Sequence, residues 1–121
     1  MTKNIKRILG AMYGVAVGDA LGGPAEFMSA EAIKKEFGVL DTMVGGGWLN
    51  LKPGETTDDT AMTLAVAEGI MASPANPVGP IGQTFIEWVH SGPKDIGGTC
   101  NSAIMSASRL MKCGKLSPEA A

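Results

Sequence analysis

Between Gly54 and Met62 the chain reads Gly-Glu-Thr-Thr-Asp-Asp-Thr-Ala-Met, so the acids Glu55, Asp58 and Asp59 stand among the hydroxyls of Thr56, Thr57 and Thr60. An apolar run follows directly over residues 61–72, with Glu68 its only charge. Two kinds of chemistry suit that arrangement. Thr or Asp at a helix start accepts hydrogen bonds from the free N–H groups of the first turn, and acids there favour the positive end of the helix dipole. On this reading Thr56 or Thr57 is the cap. Yet one cap needs one residue, and like charges crowded against an apolar helix are costly unless a cation sits among them. Mg²⁺ and Mn²⁺ take such hard oxygen donors in octahedral geometry. The residue types leave both readings open.

Other candidate groups are sparser. Asp19 lies in the Gly-rich stretch Gly18-Asp19-Ala20-Leu21-Gly22-Gly23-Pro24, and Glu26 follows that break. An acid in an apolar, glycine-rich surrounding is ordinarily satisfied by loop amides, and one beyond a Pro turn is ordinarily solvated. His90 has no nucleophile arranged with it and reads as a partner for a helix C-terminus. Gly45-Gly46-Gly47 invites comparison with a phosphate cradle, but neither G-x-x-x-x-G-K-[ST] nor G-x-G-x-x-G is present.

The elements that must position these groups are helical. Ile5, Ile8, Leu9, Met12, Val15 and Ala16 recur at helical spacing over residues 3–20, a segment read as a core helix. Gly10, Gly14, Gly18 and Gly22 fall every four residues, a ridge suited to close helix approach or to backbone access. Ser29 caps a short helix ending near Phe37, with Glu31 at its start and Lys34 and Lys35 at its end. Residues 38–55 have no helical period, and Trp48, Leu49 and Leu51 there either close over a pocket or seal the core. The 59–72 segment is apolar nearly all round and therefore central. Further helices are expected over residues 79–90 and 101–112, and Ser117-Pro118-Glu119 resembles the start of another.

Composition narrows the function. At 121 residues, 45% apolar and 18% charged, the chain is sized for one globular domain. With a net charge of −2 and scattered basic residues it offers no stripe for a phosphate backbone, so no nucleic-acid partner is expected. The uncharged run over residues 8–18 is too short to span a membrane. Cys100 and Cys113 suggest neither a zinc site nor a disulfide framework, which implies a reduced, cytoplasmic setting. Seventeen Gly and eight Met with few aromatics suit helices packed through small residues, with thioethers filling gaps.

Taken together, four blocks resemble the ADP-ribosylglycohydrolase family in letters, order and separation. They are Gly14-Val15-Ala16-Val17-Gly18-Asp19-Ala20-Leu21-Gly22, Glu26, Thr57-Asp58-Asp59-Thr60-Ala61-Met62 and Gly92-Pro93-Lys94-Asp95-Ile96-Gly97. The resemblance implies an all-α fold, an orthogonal multi-helix bundle, of which residues 1–121 form the N-terminal portion of a single domain. It implies a hydrolase that removes ADP-ribose from modified protein side chains or related conjugates, with two Mg²⁺ or Mn²⁺ ions. Thr57, Asp58 and Asp59 become metal ligands. Glu26 matches a glutamate that positions or activates water, Asp95 an acid near the substrate, and Asp19 an acid supporting the site.

The departures are equally specific. Family domains are more than twice as long, and their later Asp-x-Asp ligand block is absent, since no Asp follows Asp95. Gly98 stands where the family pattern has Asn. The remainder is expected from the same or another chain. The alternative is a non-catalytic helical fragment or interaction module that keeps the scaffold.

Overall fold

The computed structural model describes residues 1–113, and the expected start at Ser117-Pro118-Glu119 lies outside them. Five α-helices account for most of this length: α1 Lys3–Gly22, α2 Ala30–Phe37, α3 Asp58–Ala72, α4 Val78–His90 and α5 Gly98–Lys112. A single 3₁₀ turn, Gly23–Ala25, follows α1. The all-α expectation holds. Among the described residues the only extended pairing is an isolated antiparallel bridge between Gly46 and Leu51.

The chain divides into two compact units, residues 1–60 and 61–121, with the first turn of α3 in the first and its body in the second. In the first unit, α1 starts where Thr2 accepts a hydrogen bond from the Ile5 amide and runs two residues beyond the expected end. Its path then tightens because Pro24, carrying no N–H, suits the opening of a 3₁₀ turn. Ser29 caps α2 through the Ala32 amide, as its spacing requires. The 38–55 segment is irregular, and its glycines do the bending. Gly47, at φ +67°, lies so close to Pro24 that an added Cβ would stand 2.8 Å from the Pro24 carbonyl oxygen. Leu51, 5% exposed, seals the small core here, whereas Trp48 stays 55% exposed.

The second unit is built on apolar contact. Gly69 of α3 lets the start of α4 press against it, a Cβ there falling 2.6 Å from the Ile81 amide nitrogen. The Thr84 hydroxyl donates to the Ala65 carbonyl across the same junction at 2.8 Å. Ile86 of α4 and Ile104 of α5 are buried. Neither α4 nor α5 has a side-chain cap at its N-terminus, which is why their starts precede the expected residues 79 and 101 without any sequence signal.

Two expectations need correction. The α1 helix is not a core helix among the described residues: Ala20 is its only buried residue, while Ile5, Ile8, Leu9, Tyr13, Val15 and Val17 are exposed. A Cβ added at Gly10, Gly14, Gly18 or Gly22 would likewise meet no described atom within 4 Å beyond the neighbouring stretch of α1 itself. Likewise α3, although apolar all round, buries Ala65 and leaves Leu64, Ile70 and Met71 exposed.

Candidate functional site

The first unit contains a pocket of about 300 Å³ lined by Val15, Gly18, Asp19, Gly22, Gly23, Glu26, Thr57 and Asp59. Its floor is the last turns of α1, where the absence of side chains at Gly18 and Gly22 opens the backbone. Access of that kind explains part of the glycine ridge. Its walls are Glu26, just beyond the 3₁₀ turn, and the start of α3.

Asp19 organises the meeting of these elements. Its Oδ1 accepts from the Thr57 hydroxyl at 2.8 Å, and its Oδ2 accepts from the Thr57 amide at 2.9 Å and the Thr60 amide at 3.2 Å. The Thr60 hydroxyl donates to the same Oδ2. The cap of α3 is therefore supplied by a carboxylate 38 residues upstream of Thr57. Thr57 directly precedes the helix and its hydroxyl donates to Asp19, so a long-range carboxylate joins the local residues that the sequence put at this helix start. Burial pushes the Asp19 carboxyl up, yet the hydrogen bonds from Thr60 and Thr57 together outweigh it and hold the group below the usual carboxylate range. No buried polar side-chain atom among the described residues lacks a partner.

Glu55 has a different task from the two aspartates. Its carboxylate accepts from the Lys52 amide at 2.8 Å and closes the turn through Pro53 and Gly54. The acids on the pocket are instead Asp19, Glu26 and Asp59, with Asp58 beside them at the start of α3. Asp59 shows the strain of that company: desolvation first, then the charges of Asp58, Asp19 and Glu26, raise its carboxyl above the ordinary value.

Glu26 is exposed and held from one side, its Oε2 accepting from the Trp48 indole N–H at 2.9 Å. Trp48 in turn meets Phe27 edge to face, centroids 5.5 Å apart at 60°. Sequence reasoning singled out Glu26 and Trp48 separately but not their bond, and no periodic signal links residues 22 apart. Phe27 was not singled out. Asp95 is half-buried in the segment before α5, in the second unit. His90 is the last residue of α4, the helix end where its sequence position put it.

The donors at the start of α3 fit a divalent cation in type. The Thr57 hydroxyl and the Asp58 and Asp59 carboxylates are hard oxygens, and a cation would relieve the repulsion that raises Asp59. In number they fall short. Among the described residues no group of three or more His, Cys, Asp or Glu side chains is arranged to hold a metal ion. No helix among them is long and apolar enough to cross a membrane.

An acid-walled, glycine-floored pocket at a helix start, in an all-α chain, is the setting in which known relatives can be compared. The ADP-ribosylglycohydrolase family model matches residues 1–120, and the chain belongs to that family. One relative, the ADP-ribosyl-[dinitrogen reductase] glycohydrolase of Rhodospirillum rubrum, is 47% identical over 98 residues, covering 81% of this chain and 33% of that protein. A second, the ADP-ribosylarginine hydrolase Tri1 of Serratia proteamaculans (strain 568), is 31% identical over 99 residues, covering 82% of this chain and 26% of that protein. The chain thus spans about a quarter to a third of the length of these curated relatives.

Proposed function

We propose that this chain supplies the N-terminal part of a hydrolase site that removes ADP-ribose from modified protein side chains or related ADP-ribose conjugates. The observation that carries the reading is the convergence of Glu26, Thr57 and Asp59 on one pocket, with Asp19 holding the start of α3 in place. Membership of the family and the names of the relatives support it. A glycosidic bond to ribose breaks through an oxocarbenium-like transition state, and each residue has a part suited to that. The exposed Glu26 carboxylate accepts the proton of the attacking water, its orientation set by the Trp48 indole. The open backbone at Gly18 and Gly22 admits the ribose without side-chain obstruction. Thr57, Asp58 and Asp59 would hold Mg²⁺ or Mn²⁺, two ions in the complete site, and such ions polarise the ribose hydroxyls and orient water when bound. Asp95 is assigned to contact with the modified side chain. A cytoplasmic setting fits the free cysteines.

Because the described residues supply only part of a coordination shell, the 121-residue chain alone is expected to bind Mn²⁺ more weakly than micromolar and to turn over little or no substrate. Isothermal titration and an ADP-ribose release assay test this, and micromolar binding with turnover contradicts it. The function itself is tested by exchanging the matching 98-residue segment of the Rhodospirillum rubrum relative for the one from this chain. The chimera is expected to release ADP-ribose from modified dinitrogen reductase, and Glu26→Gln in it to slow release by roughly a hundredfold. A folded chimera that binds Mn²⁺ and releases nothing overturns the reading.

A further inference from the structure

The run Gly45-Gly46-Gly47-Trp48 matches no phosphate-binding pattern, and its conformation gives it a different task. All three glycines hold positive φ, at +70°, +89° and +67°. Gly46 pairs with Leu51 in both directions, amide to carbonyl, at 2.7 and 2.9 Å, and the Asn50 amide donates to the Gly47 carbonyl at 3.1 Å. Backbone bonds therefore close the base of this loop, and the buried Leu51 anchors its far end. Gly47 rests against the backbone of Pro24, which is itself fully buried two residues before Glu26. The separation of Trp48 from Glu26 is thus set by touching backbones, with only the two side chains left to rotate.

Those side chains take the remaining freedom from each other. The Trp48 indole N–H donates to Glu26 Oε2 at 2.9 Å, and the indole ring meets that of Phe27, the next residue, edge to face. Phe27 keeps a left-handed backbone at φ +61°, uncommon for a bulky residue. No other side chain among the described residues hydrogen-bonds to the Glu26 carboxylate. An unheld glutamate samples several rotamers, few of which aim an oxygen at one point. With Oε2 occupied, Oε1 is the oxygen left to take a proton from water.

We propose that the 45–51 loop belongs to the catalytic apparatus, as a rigid frame that aims one indole N–H at Glu26. Trp48 is a positioning residue that acts through Glu26, and Gly46 and Gly47 act through Trp48. This rests on the hydrolase reading and extends it to a loop that supplies no reacting group of its own.

A double-mutant cycle in the Rhodospirillum rubrum chimera tests it, because a residue that acts through another loses its effect once that other is gone. Trp48→Phe keeps an aromatic ring for Phe27 and removes the N–H. It is expected to lower kcat about tenfold and to leave KM within about twofold, as a loosened base would and a lost binding contact would not. In the Glu26→Gln background the same change is expected to cost less than about twofold. Gly46→Ala, whose methyl meets nothing within 4 Å, strains only the loop backbone and is expected to lower kcat about threefold, again with no further cost beside Glu26→Gln. Losses that persist undiminished beside Glu26→Gln, or a raised KM at unchanged kcat, overturn the proposal. In the 121-residue chain ¹H–¹⁵N spectra read the bond without turnover. Glu26→Ala is expected to speed solvent exchange of the Trp48 indole N–H about tenfold and to leave that of Trp88 unchanged. An exchange rate indifferent to Glu26 overturns the proposal. A folded parent chimera that binds Mn²⁺ and releases nothing sinks the hydrolase reading alone, and the indole exchange still decides whether the loop holds Glu26.

Discussion

The start of α3 and the α4 and α5 pair are held by opposite means. At the first, one carboxylate gathers two amides and two hydroxyls, each bond directional. At the second, Ile81, Phe85, Ile86 and Ile104 border an apolar groove of about 430 Å³, where contact area matters and direction hardly does. Positioning chemistry demands the first kind of bond. Holding helices together needs only the second. Substitutions should therefore act as discrete losses in one region and as graded ones in the other.

The sharpest way to break this contrast is Asp19→Ala, which strands the Thr57 and Thr60 amides together. Unfolding free energy should fall by about 3 kcal/mol, the range for losing hydrogen bonds to a charged group, as read from urea midpoints by circular dichroism. A loss below about 1 kcal/mol would mean that water replaces the carboxylate with ease. Asp19→Asn sharpens the same point through pH. The folded carboxyl lies below its ordinary range, so its contribution is complete at neutral pH and is withdrawn as pH drops below about 4. The Asn variant should be less stable at pH 7 and show a flatter acid limb.

In the second region Gly69→Ala is the comparable challenge, since the new methyl meets the Ile81 backbone. A cost of about 2 kcal/mol in the same denaturation experiment is expected. Indifference to the methyl would show that α4 slides freely along α3. The double change Asp58→Asn and Asp59→Asn should act on binding and not on folding. Mn²⁺ heats should vanish while the urea midpoint holds or rises, because neutralising Asp59 removes repulsion and the cap belongs to Asp19. An unfolding free energy that drops by about 1 kcal/mol or more would return the capping role to these acids. The smallest effect belongs to Phe27→Asn, expected to raise stability by a few tenths of a kcal/mol as a left-handed backbone is relieved. A fall in melting temperature would show that the exposed ring stabilises the fold after all.

Local signals carried most of the helical architecture. Ser29, Glu31, Lys34 and Lys35 announce α2 because capping and dipole effects act within one turn. The apolar run after Asp59 announces α3 to within one residue of its start. Contacts with no period stayed hidden: the Asp19 clasp on Thr57 and Thr60, the Trp48 bond to Glu26, and the turn that draws Glu55 away from its neighbours. The acids themselves could be picked out by type. Which of them face one cavity could not, because that depends on how residues 23–56 fold back. The exposed apolar side of α1 was misjudged for a related reason, as periodicity reports which residues share a face and not whether anything covers it.

The long reach of the Asp19 clasp has a consequence for how this fold tolerates change. Both ends of the intervening segment are anchored by the same carboxylate, and the cost of closing a loop grows only as the logarithm of its length. Ten residues inserted between the exposed Asp41 and Thr42 should add about 0.2 kcal/mol. That junction is a natural place to graft a tag, a reporter or an extra binding loop while the pocket keeps its shape.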